Sequence, residues 1–79
     1  MYIKADIMIG TNKSFTTVMN DVIEVVTYNG GIEEDILDAE TTTGGVRFVV
    51  EFENGYQYDM VIMELSELYG GEVSTFMLT

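Results

Sequence analysis

The chain has 79 residues, 47% of them hydrophobic, and sets fourteen acids against three bases (Lys4, Lys13 and Arg47) for a net charge of −11. That is one domain with material for a core but a thin stability margin, since a domain of this size buries only about 60% of its unfolded surface. With no cysteine and no histidine it has no disulfide, no thiol chemistry, no Cys/His zinc site and no imidazole base.

Residues 2–9 alternate, with Ile3, Ala5, Ile7 and Ile9 on one side and Lys4, Asp6 and Met8 on the other. A period of two predicts a strand with one buried face. Gly10-Thr11-Asn12 ends it. The run Gly10-Thr11-Asn12-Lys13-Ser14 lacks the upstream glycine of a phosphate loop and reads as a strand-to-helix turn with a cap.

Over 13–28, Phe15, Val18, Met19, Val22, Val25 and Val26 recur at helical spacing, opposite Thr17, Asn20, Asp21 and Glu24. Asn12 or Ser14 can cap the start and Asn29-Gly30 can close the end. The β-branched run over 22–27 favours a strand. The length of the stripe and its two stop signals favour the helix, which is the reading adopted, with 22–28 its least determined part.

Segments 34–43, 46–53 and 56–64 read as strands separated by Gly44-Gly45 and Asn54-Gly55, both hairpin signals. A Gly44-Gly45 loop would pair Thr41 with Phe48, Ala39 with Val50 and Leu37 with Phe52. A three-residue loop over 53–55 would pair Phe52 with Tyr56, Val50 with Tyr58 and Phe48 with Met60, keeping apolar residues on one face. A short helical turn over 65–69 and a last strand over 73–78 complete the chain. The expectation is an α+β domain, a single unit over 1–79, in the order β-α-β-β-β-β: an antiparallel sheet of four to five strands with one helix on one face.

These registers place Asp38, Glu40, Thr42, Arg47, Val49, Glu51, Gln57, Asp59, Val61 and Met63 on the uncovered face. Like charges side by side on a sheet repel, and a solvated face tolerates them until a basic partner arrives. Val49, Val61 and Met63 form an apolar group there, a candidate homodimer seam or part of the partner contact, beside the plain alternative of scattered exposed hydrophobics.

The acids offer carboxylate pairs (Glu33-Glu34-Asp35, Asp38/Glu40, Glu51/Glu53), but no catalytic motif and no EF-hand spacing accompanies them. No enzyme, metal or cofactor is expected. On a strand, residues i and i+2 stand about 6.6 Å apart at a rise of about 3.3 Å per residue, a spacing comparable to successive phosphates of a nucleic-acid strand. Carboxylates so placed offer Lys and Arg of a DNA-binding protein the contacts that phosphates offer. A chain this acidic repels nucleic acid and anionic membrane, so the expected partner is a basic protein. Asp35, Asp38, Glu40, Glu51, Glu53 and Asp59 are the candidate partner-binding residues.

In its acidity, its lack of Cys and His and its carboxylate-bearing strands, the chain resembles the small DNA-mimic proteins that bacteriophages make during host takeover. Within that group it is most similar to the Bacillus-phage inhibitors of the nucleoid-associated protein HU. The resemblance spans the chain and is one of character, without a diagnostic motif. It implies a homodimer whose acidic surface fills the DNA-binding cleft of HU. Anti-restriction, anti-CRISPR and uracil-glycosylase-inhibitor proteins share the same character. A structural module that assembles through the apolar sheet face is the alternative. No signal-peptide layout opens the sequence and no apolar run nears the ~20 residues of a membrane span, so a cytoplasmic location is expected, that of the host cell for a phage product.

Overall fold

The computed structural model describes residues 2–79. Strand β1 runs Ile3–Gly10 and buries Ala5, Ile7 and Ile9, the face its alternation marks. Helix α1, Phe15–Tyr28, begins at Ser14, whose hydroxyl accepts the Thr17 N–H and so satisfies one of the open donors of the first turn. Val18, Val22, Val25 and Val26 form its buried stripe, so tertiary burial outweighs their modest helix propensity. A 3-10 turn, Glu33–Asp35, leads into β2, Ile36–Thr42, which turns back through Thr43-Gly44 into β3, Gly45–Phe52.

The β2–β3 pairing differs from the sequence register by two residues. Thr42 faces Gly45, Glu40 faces Arg47 and Ala39 faces Phe48. Two glycines explain the shift. Gly44 takes the positive φ of the turn, 97°. Gly45 belongs to the strand, because a Cβ there would stand 2.0 Å from the Ile9 carbonyl oxygen. A shift of two preserves side-chain parity, so Asp38, Glu40, Arg47, Val49 and Glu51 keep the uncovered face. A bulge at Leu37 interrupts the ladder between Ile36 and Asp38.

The larger correction concerns 56–64. It is not a strand but the first part of helix α2, Gly55–Tyr69, which absorbs the short turn expected over 65–69. Asn54 is the helix cap rather than a hairpin residue: its Oδ1 accepts the Gln57 N–H at 2.9 Å. Gln57 in turn accepts the Glu53 N–H and donates to the Asn29 carbonyl at the end of α1, which satisfies its buried amide. Val61, Leu65 and Tyr69 are buried at i, i+4 and i+8, with Tyr58 and Ile62 packed beside them. Phe52 and Tyr58 meet edge to face at 5.5 Å. Gly70, at φ 66°, stops the helix, and a turn over Gly70–Glu72 leads to β4, Val73–Met77.

Among the described residues the order is thus β-α-β-β-α-β rather than β-α-β-β-β-β: four strands, within the four to five expected, and two helices where one was expected. The sheet is antiparallel in the order β2-β3-β1-β4, the split βαβ arrangement called ferredoxin-like. Both helices lie on the face formed by Ala5, Ile7, Ile9, Val46, Phe48, Val50 and Phe52, and the other face is open. Among the described residues no helix is long and apolar enough to cross a membrane.

Candidate partner-binding surfaces

The open sheet face holds three of the six expected acidic residues: Asp38, Glu40 and Glu51. They do not form an unopposed ladder. Arg47 Nη2 lies 2.6 Å from Asp6 Oδ2, and its Nη1 lies 2.9 Å from Glu40 Oε1. The hydrogen bond to Asp6 first, then that to Glu40, holds the guanidinium pKa above its already high ordinary value. Lys4 stands directly across from Glu51, and the Asp38 carboxylate accepts the Ala39 N–H at 2.9 Å. On the strands, four acids (Asp6, Asp38, Glu40, Glu51) meet two bases (Lys4, Arg47).

The other three lie elsewhere. Asp35 turns its carboxylate back onto the Ile32 N–H at 2.9 Å and shapes the 3-10 turn. Glu53 is exposed in the connection between β3 and α2. Asp59 is exposed on α2, in the layer on the opposite side of the sheet from Asp38 and Glu51. The six residues therefore do not assemble into one patch, because the segment carrying Asp59 is helical.

The unbalanced charge lies in the helices and connections. They carry the remaining ten acids and a single base, Lys13. Neither α1 nor α2 contains a basic residue. Lys13 sits at one end of this layer, with Nζ 5.1 Å from the centre of the Tyr69 ring. Between the helices, Glu24, Val25, Tyr28 and Glu64 line a shallow groove of about 370 Å³. Asn29 Nδ2 donates to Glu64 Oε2 at 2.6 Å and fixes that carboxylate. Tyr28 is 81% exposed beside it. Carboxylates next to an accessible aromatic ring match the chemistry of a lysine or arginine side chain. The sequence marks Asp21 and Glu24 only as the polar side of α1. The missing signal was the second helix, which supplies the groove's other wall.

The expected apolar seam is also dispersed. Val49 is half-buried on the open face, Val61 is wholly enclosed in the core, and Met63 is exposed on α2. Val61 is therefore no seam residue. Val49 instead faces Asp6 across β3–β1, and Asp6 faces Phe76 across β1–β4. Among the described residues no group of three Asp or Glu side chains is gathered to hold a metal ion. No protein-family model, curated protein or solved structure matches the chain.

Proposed function

We propose that the protein is a non-enzymatic, DNA-imitating inhibitor that binds a basic DNA-binding protein through its helix layer and the adjoining connections. One observation carries this reading: ten of the fourteen acids lie in the helices and connections with Lys13 as the only base there, while the strands hold four acids against two bases. Charge so unevenly divided among the elements draws an approaching cationic surface and speeds its encounter. Fold alone assigns no function, since this topology hosts many.

The imitation differs in kind from the strand ladder the sequence pointed to. Five of its ten carboxylates project from the two helices and five from the connections, so they present a field and a groove rather than a straight row at phosphate spacing. Glu24, Glu64 and Tyr28 give a partner's arginine or lysine a place to seat. The bacterial nucleoid protein HU is the first candidate. A restriction, CRISPR or DNA-repair enzyme with a basic DNA cleft uses the same chemistry.

A gel-shift competition tests the proposal. HU is bound to a short duplex and the protein is titrated in at low salt. The expected result is release of free duplex, with release suppressed as salt is raised. Retention of the complex at low salt, repeated with a restriction nuclease and a glycosylase, excludes the proposal.

A further inference from the structure

The helix layer carries more than acid. On α2, Tyr56, Met60 and Met63 recur at i, i+4 and i+7, so they form a ridge on the side away from Val61, Leu65 and Tyr69, which face the core. Tyr56 is 75% exposed and Met63 49%, and Met60 is half-buried. At about 100° per residue, Asp59 flanks the ridge on one side and Glu64 on the other, and Glu67 follows Met63 one turn later.

α1 lies antiparallel to α2. Asn29, at the end of α1, bonds Gln57 and Glu64, while Asp21, in its middle, bonds Tyr69 at the end of α2. This brings the exposed Tyr28 ring to the groove it shares with Glu64. Two helices side by side thus offer a groove, an aromatic ring at its wall, an apolar ridge beside it, and acids with no base on either helix. Exposed hydrophobics scattered singly are ordinary, but three on one helix face make a patch. A contact made by charge alone has no use for them.

We infer that the groove between α1 and α2 is the docking site of a basic amphipathic helix presented by the partner. Its apolar side lies on Tyr28, Met60 and Met63, and its lysines and arginines reach Glu24, Asp59 and Glu64. The inference rests on the helix layer being the partner-binding surface and adds the shape of what binds there. A helix laid in a groove presents anchors at i, i+3 or i+4, and i+7, the period of the ridge itself. Tyr56 to Met63 covers about 10 Å at about 1.5 Å per residue, so two to three turns of a partner helix span it. The methionine side chains adapt to the apolar groups they meet.

Charge selects this occupant over others. A second copy of a chain of net −11, or an anionic lipid surface, is repelled from a layer whose helices hold only acids. A basic helix is attracted, and its apolar side then finds the ridge.

Two synthetic peptides of about 18 residues test the inference, one an amphipathic helix of leucine and lysine, the other the same residues scrambled so that no apolar face forms. The amphipathic peptide should bind the full chain about tenfold or more tighter than the scrambled one. The methyl resonances of Met60 and Met63 should shift on binding, and those of Met8 and Met77, on the sheet, should hold still. Tyr56→Ser with Met63→Ser, both exposed positions, should weaken binding about tenfold without changing its dependence on salt. Asp59→Asn with Glu67→Gln should make that dependence shallower. Phe76→Ser, on the open sheet face, should bind as the wild type does. Equal affinity for the two peptides, full affinity after Tyr56→Ser with Met63→Ser, a loss through Phe76→Ser, or shifts led by Met8 or Met77 overturns the inference. No DNA and no HU enter this test. A failure here refutes helix docking and leaves DNA displacement to the gel shift, while a chain that displaces no DNA can still bind the peptide.

Discussion

Arg47 and Asp6 face the same side of neighbouring central strands and share two contacts, Nε to Oδ2 at 2.8 Å and Nη2 to Oδ2 at 2.6 Å. With Glu40 on the far side, one guanidinium joins β1, β3 and β2. With Lys4, these contacts leave the strands a net charge of only −2, and the rest of the negative charge lies in the helices and connections. Arg47→Met should lower the unfolding midpoint, because it exposes Asp6 and Glu40 to each other and to Asp38 and Glu51. The loss should be larger at low salt than at high salt. Urea unfolding at two salt concentrations measures it, and equal midpoints in variant and wild type would show that Arg47 has no structural part.

Tyr69 closes α2 against α1, its hydroxyl donating to Asp21 Oδ2 at 2.5 Å. Burial, and then this hydrogen bond to a carboxylate, raises the phenol pKa well above its ordinary value of 10.0. The folded state thus favours the neutral phenol. The corresponding stabilisation is complete below the unfolded value near pH 10 and disappears as pH rises through the folded value. Stability should therefore decline above about pH 10, and Tyr69→Phe should remove part of that decline. At neutral pH the same variant should lose about 1 kcal/mol, since Asp21 forfeits its donor. Unfolding curves over pH 7 to 11 check both effects.

Val61→Glu should unfold the domain rather than alter its association. Val61 is fully enclosed, and an unpaired carboxylate at that depth costs several kcal/mol, a large share of a small domain's total stability. Asn54→Ala should cost about 1 kcal/mol through loss of the α2 cap. Circular dichroism melts separate the outcomes. A folded Val61→Glu protein would mean that 56–64 does not enter the core as a helix.

Much of the fold was legible because burial imposes its period on the residues. Ala5, Ile7 and Ile9 marked β1, and the valine stripe with Ser14 before it marked α1. The segment 56–64 misled for a physical reason. Tyr56, Tyr58, Met60 and Ile62 alternate as in a strand, while Tyr58, Val61, Ile62, Leu65 and Tyr69 keep helical spacing, so two periods coexist. Asn54-Gly55 was equally ambiguous, since asparagine suits both a hairpin turn and a helix cap. The deciding observation was continuity: the helical stripe runs unbroken to Tyr69 and the alternation does not.

The charged surface was legible only in amount. Fourteen acids are a sequence property, but their distribution depends on each element's type and register. Asp59 moved to the helix layer once its segment proved helical, and Glu40 was taken up by Arg47. The groove of Glu24, Tyr28 and Glu64 needs two helices side by side, and a reading with one helix has no place for it.

Displacement of DNA from HU by charge-reversed pairs tests most directly where the acidic surface acts. Glu24→Lys with Asp59→Lys alters the helix layer, and Asp38→Lys with Glu51→Lys alters the open sheet face by the same charge. The helix-layer pair should weaken displacement by about tenfold or more at low salt, and the sheet pair should change it far less. Equal losses from the two pairs, or a greater loss from the sheet pair, would contradict the assignment of binding to the helix layer.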